Sequence, residues 1–248
     1  MSKVEEAIAL GQWSEAQLDR LIGEGAKITD PGTRIDLLSR FFLGLQYGES
    51  TLIGDAETTE VFVINLAHVD CFTFLDYVEA MRLSGSYTSF RRNLRKVRYR
   101  SGRVAYKNRK HFFTDWRAHN KGFVEDVSGE VGGQATQTLE KVLNVKEDGT
   151  CYLPGIVPLS RRIDYIPASA IDEKVMGRLS TGDYVGIYSE LPGLDVSHVG
   201  IISKDGNAVY LRHASSSPAN RKVVDQDFFA YMGERPGFLV LRPQRHRA

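Results

Sequence analysis

The sequence predicts an α+β protein, with helices grouped before and beside an antiparallel sheet. Three observations carry that expectation. Helix-start residues Ser14, Asp30, Asp70 and Ser86 crowd the first part of the chain. Short apolar runs, VFVINL from Val61, DYVGIY from Asp183 and FLVLRP from Phe238, read as strands. An Asp205-Gly206 pair between apolar runs marks a hairpin, because a tight type I′ turn needs positive φ at both central residues. The 248 residues are 42% hydrophobic and 25% charged, the composition of an ordinary globular protein. A net charge of +1 provides no strong pull toward nucleic acid or an anionic membrane, and no apolar run is long enough to span a bilayer.

Taken in order, Val4–Leu10 and Ser14–Glu24 read as short amphipathic helices. Ser14 caps the second, with Gln17 at the capping-box position. Asp30 and Pro31 open a third helix over Thr33–Leu45. These pieces predict an N-terminal helical subdomain over 1–48, packed on a main domain over 49–248. After the VFVINL strand, Asp70 is an N-cap whose carboxylate can accept the orphan N–H of Thr73. Phe74, Leu75, Val78 and Met81 then recur at the spacing of one helix face. Ser86 starts another helix, Tyr87–Val97, and its Arg91, Arg92, Arg95, Lys96 and Arg98, with Arg100 and Arg103 beyond, read as a solvated basic face. Val104–Trp116 reads as extended and aromatic, Gly122–Pro158 as loop with one strand or helix near Thr138–Val145, and Ala168–Met176 as a short helix. No internal repeat or low-complexity tract interrupts the chain.

The chemistry centres on Cys71, the first residue of the helix that Asp70 caps. The macrodipole and unpaired amides of a helix start favour a thiolate, the nucleophilic form. The neighbouring Asp70 charge opposes this, so a base must come from elsewhere; without one, Cys71 reads as a buried structural thiol. The hairpin offers that base. With Asp205-Gly206 as its turn, Lys204 pairs with Asn207 and His198 lands opposite His213, on the face that carries Ile202, Val209 and Leu211. That apolar face is expected to pack on the Cys71 helix, bringing a thiol to one imidazole with a second behind it. Cys151 is the only other cysteine, so no disulfide framework is predicted, and it reads as a packed or loop thiol.

The order Cys at a helix start, HVGI on a distant strand and HAS on the next resembles the NlpC-type cell-wall cysteine peptidases, and most closely their N-acetylmuramoyl-L-alanine amidase-like family. The resemblance extends through LGLQYGES, VINLAHVDCFTFLDYV, the run from Arg98 to Trp116, LSTGD near Asp183, and GLDVSHVGI into RHASS. It implies a circularly permuted papain-like fold, an antiparallel sheet with a nucleophile helix, in which Cys71, His198 and His213 are catalytic and 49–248 is the catalytic domain. It also implies that Tyr47, Asp70, Arg109, His111, Asp115, Trp116, Asp195 and Ser197 line the substrate site. The implied substrate is the amide between a muramoyl lactyl group and L-alanine in small, anhydro-type muropeptides. Phe72 stands where the wider superfamily has Ser, so endopeptidase specificity does not carry over. A γ-D-glutamyl–diamino acid endopeptidase is the runner-up, followed by a zinc hydrolase using the same three residues and a non-catalytic wall-binding module. No cofactor, metal or nucleic-acid partner is expected, and the chain is expected to be monomeric. The resemblance places it in the bacterial cell envelope or periplasm, while the charged N-terminus has no leader-like apolar core and leaves a cytoplasmic form open.

Overall fold

The computed structural model describes residues 4–120 and 122–245. They fall into two compact units, one of Met1–Lys110, Arg212–Val224 and Arg245–Ala248, the other of His111–Leu211 and Asp225–Gln244. The chain first crosses between the units at Lys110/His111, and the expected 1–48 segment shares its unit with the Cys71 helix.

In the first unit, the segment expected as an opening helix is a strand. β1, Glu6–Ala9, pairs in parallel with β2, Phe62–Asn65, from Glu6↔Phe62 to Ala9↔Asn65. A helix of seven residues, Val4–Leu10, is too short to offset the cost of helix nucleation by itself, whereas β2 offers a ready edge for the backbone. α1, Glu15–Ala26, has the predicted capping box between Ser14 and Gln17. α2, Pro31–Arg40, begins at Asp30, whose carboxylate accepts the Thr33 N–H, and ends five residues before the expected Leu45. α3, Cys71–Arg82, was expected to bury one face, yet every residue from Thr73 to Arg82 is buried. Its polar positions are matched inside: Arg82 forks onto Glu79 (2.6 and 2.7 Å), and Asp76 accepts from Arg98 Nε at 2.7 Å. Arg98 belongs to α4, Tyr87–Arg98, which Ser86 caps. The reading of this basic cluster as a solvated face needs correcting at Arg98, which is 1% exposed and also donates to the Val63 carbonyl at 2.6 Å. Arg91 and Arg95 reach Glu6 of β1.

In the second unit, the stretch expected to be extended up to Trp116 turns helical in α5, Phe113–His119. β3 (Val124–Asp126) and α6 (Ser128–Gly132) follow, then β4 (Gln137–Leu143), which settles the strand-or-helix question near Thr138. β5 (Leu159–Pro167) lies in a stretch where no strand was expected, and α7 (Glu173–Arg178) is capped by Asp172. β6 (Tyr184–Tyr188), β7 (Val196–Asp205), β8 (Ala208–Ala214), β9 (Val223–Asp227), α8 (Phe228–Met232) and β10 (Gly237–Pro243) complete the chain. The sheet order is β4-β5-β10-β6-β7-β8-β9, with β3 also on β10, and the neighbours from β4 to β7 pair antiparallel, as does β3 with β10. β8 and β9 each run along the chain from one unit into the other.

The hairpin loop is Gly206-Asn207, one residue later than expected, with Gly206 alone of the two at positive φ (56°). The face bearing Ile202, Val209 and Leu211 packs in a cluster with Val131 of α6, Val175 of α7 and the following Leu179, and Phe228 and Met232 of α8. Gly186 in β6 permits close packing near α5, because a Cβ there would come within 2.6 Å of both the Phe113 ring and Val196.

Candidate active site

Cys71 stands at the first position of α3, half-buried and outside any disulfide. The turn before it is held tightly. Oδ1 of Asp70 accepts the N–H groups of Phe72 (2.9 Å) and Thr73 (2.7 Å), and the Thr73 hydroxyl accepts the Asp70 N–H at 3.0 Å. The other carboxylate oxygen, Oδ2, accepts the Thr51 hydroxyl at 2.6 Å. Asp70 is therefore committed to the protein on both oxygens. Tyr47 lies on the segment that runs beside this turn: it bridges to Val69, and the Gly48 N–H donates to the Val69 carbonyl at 3.0 Å. Burial raises the Tyr47 phenol above its ordinary range, and the negative charges of Cys71, Asp70 and Glu49 push the same way against the pull of Arg221. Arg221 sits over the Tyr47 ring, 5.4 Å from its centroid.

The hairpin carries the two imidazoles. His198 is half-buried on β7, paired with Ile187, and its ring centroid is 6.3 Å from that of Tyr231. His213 is buried on β8. Cys71 and His213 belong to the first unit and His198 to the second. Ser197, exposed, donates its hydroxyl to the Ile187 carbonyl at 3.4 Å. Asp195 is buried, and its Oδ2 accepts both the Thr114 N–H (2.7 Å) and hydroxyl (2.8 Å) at the start of α5, while Oδ1 takes the Val196 N–H. Burial raises its carboxyl pKa against those three bonds.

The remaining candidates are engaged within the protein. Arg109 turns its fork to Glu60 and donates to the Gly54 carbonyl at 3.0 Å. Asp115, 1% exposed, pairs with Arg161 at 2.8 Å and accepts the His111 N–H at 3.2 Å. Trp116 is fully buried and meets Tyr184 edge-on, ring centroids 5.2 Å apart. A ring without an exposed face cannot stack on a sugar, so the contact expected of Trp116 does not fit its position. Thr51, by contrast, was missed: its bond to Asp70 spans 19 positions, and nothing in their spacing signals it.

The sequence profile of the AmiA-like family, described as N-acetylmuramoyl-L-alanine amidase-like, matches residues 37–238. The chain belongs to the N-acetylmuramoyl-L-alanine amidase-like family. No curated protein matches its sequence. An N-acetylmuramoyl-L-alanine amidase from Bacteroides uniformis is 27% identical with a TM-score of 0.71, over 86% of this chain and 99% of that one. Protein LPG0564 from Legionella pneumophila, of the DUF1460 family, shares the fold at 20% identity with a TM-score of 0.78, over 93% and 94% of the two chains. A Bacteroides fragilis protein under the provisional name of xylanase is 26% identical with a TM-score of 0.66, over 82% and 98%.

The family resemblance read from the sequence is thus borne out, and with it a mixed α/β amidase-like hydrolase with an antiparallel sheet. In this amidase-like chain the cap spends the amides of Phe72 and Thr73 on Asp70. Among the described residues no three His, Cys, Asp or Glu side chains are grouped as a metal site. No helix of the described residues is long and apolar enough to cross a membrane.

Proposed function

We propose that this amidase-like protein is a cysteine amidase of the permuted papain-like type, acting on the amide between a muramoyl lactyl group and L-alanine in small, anhydro-type muropeptides. The observation that carries the reading is Cys71 itself, a half-buried cysteine outside any disulfide at the first position of a helix whose cap is fixed on both carboxylate oxygens. The helix start supports the thiolate, and a charge-neutral Tyr47 lies close enough to feel it.

In the proposed reaction His198 takes the Cys71 proton, and the thiolate attacks the lactyl carbonyl carbon. The tetrahedral oxyanion takes the Cys71 N–H, an interaction typically worth about 3–4 kcal/mol. His198 returns the proton to the leaving nitrogen, which departs as the free amine of the L-alanyl peptide and leaves a lactyl thioester on Cys71. Water, deprotonated by His198, then hydrolyses the thioester to the lactate carboxylate and restores the thiol. His213 orients His198 and supports its imidazolium form. The bacterial cell envelope is the proposed site of action.

The test is mass spectrometry of muropeptides after digestion. The reading predicts free L-alanyl peptide plus a muramoyl lactate, with turnover reduced by roughly four orders of magnitude or more in Cys71→Ser and His198→Ala. His213→Asn should retain part of the activity and His213→Ala less. Chelators should leave all of it. Products cut between D-glutamate and the diamino acid would assign the protein to the endopeptidases instead, and activity lost to a chelator and restored by zinc would replace the cysteine mechanism.

A further inference from the structure

Thr51 lies at the centre of a clamp between two segments of the first unit. The 47–51 segment meets the 68–70 turn at three successive places. The Gly48 N–H donates to the Val69 carbonyl at 3.0 Å, and a Cβ added at Gly48 would stand 2.8 Å from the His68 Cβ. The Thr51 hydroxyl then donates to Asp70 Oδ2 at 2.6 Å and lies 3.3 Å from the Thr73 hydroxyl. A Cβ added at Gly48 would also stand 3.3 Å from the Thr51 methyl group, and Thr51 is buried at 8% exposure.

Asp70 places a negative charge next to the sulfur that has to become a thiolate. Oδ1 is compensated by the helix amides of Phe72 and Thr73, and Oδ2 by Thr51. Removing the Thr51 donor leaves Oδ2 with its charge localised, one residue from Cys71, and a like charge disfavours the ionised form of its neighbour. In this unit the Tyr47 phenol feels the charges of Cys71, Asp70 and Glu49 and the pull of Arg221, whose guanidinium lies over its ring and reaches Glu49. His198 and His213 are added by the proposed mechanism.

We propose that Thr51 is a positioning residue for Cys71: its hydroxyl holds the outer oxygen of the Asp70 carboxylate and draws that charge away from the nucleophilic sulfur. The inference rests on the reading of Cys71 as nucleophile. It gives Thr51 no contact with substrate.

The experiment is the pH profile of iodoacetamide alkylation, read at Cys71 and Cys151 separately by peptide mass spectrometry on the full chain. Thr51→Val keeps the shape and deletes the hydroxyl, and should move the Cys71 midpoint upward by about one pH unit, a roughly tenfold lower thiolate fraction below it. Thr51→Ser should restore the wild-type profile, and Cys151 should be unchanged in both. Asp70→Asn keeps a capping side chain without the charge and should move the Cys71 midpoint downward, a measurement that stands even where Thr51→Val fails to fold. A folded Thr51→Val with the wild-type profile, or an Asp70→Asn midpoint that does not fall, overturns the positioning role while leaving the amidase reading intact. A wild-type Cys71 that alkylates no faster than Cys151 overturns the nucleophile reading, and this role with it.

Discussion

Tyr47 is electrostatically coupled to the proposed nucleophile. Burial, then the charge of Cys71, holds its phenol above the ordinary range. The folded state therefore keeps this proton more tightly than the unfolded chain does. That contribution to stability is complete below the unfolded phenol's value of about 10 and lost as pH rises through the folded value. Alkaline difference titration of wild type against Tyr47→Phe should show one phenol ionising later than free tyrosine. Blocking Cys71 with iodoacetamide, which leaves a neutral adduct, should bring that phenol down; an unchanged titration would separate the two groups. Single residues were legible where their partner is close in sequence. The Asp70 cap was readable because Thr73 is three positions on, and the Ser14 box because Gln17 is. Trp116 and Arg109 were not, because their partners Tyr184 and Glu60 are set by tertiary contacts at long separation.

At the scale of elements, helix starts were legible and burial was not. The α3 pattern showed one apolar stripe, and the polar positions between its members suggested a wet face. Asp76 and Glu79 are instead buried against Arg98 and Arg82. Truncating one member of a buried pair strands the other's charge, so Asp76→Ala should lower unfolding stability by about 3–5 kcal/mol in a denaturant titration. A loss below 1 kcal/mol would mean that Arg98 finds water or another partner. α5 makes the complementary case. Its N-terminus is satisfied by Asp195, 81 positions away, which no local signal could reveal. Asp195→Ala leaves the Thr114 N–H without its acceptor and should cost roughly 1–3 kcal/mol, also read by denaturant. β1 fails as a helix for a related reason, since its partner β2 lies far along the chain.

At the scale of the whole molecule, the α+β class was legible because helix caps and apolar runs are local signals and their order along the chain sets the class. The division into two units was not, because the chain crosses it at Lys110/His111, Leu211/Arg212, Val224/Asp225 and Gln244/Arg245, places without a linker-like composition. The central claim is that Cys71 takes a lactyl group from a muramoyl amide, and it is tested most directly by acid-quenching the wild-type protein during turnover of an anhydro-muropeptide and weighing the Cys71 peptide. The account predicts a muramoyl lactyl thioester on Cys71 that disappears as substrate is exhausted. A γ-D-glutamyl acyl group on that sulfur, or turnover with Cys71 unmodified throughout and full activity in Cys71→Ala, would contradict it.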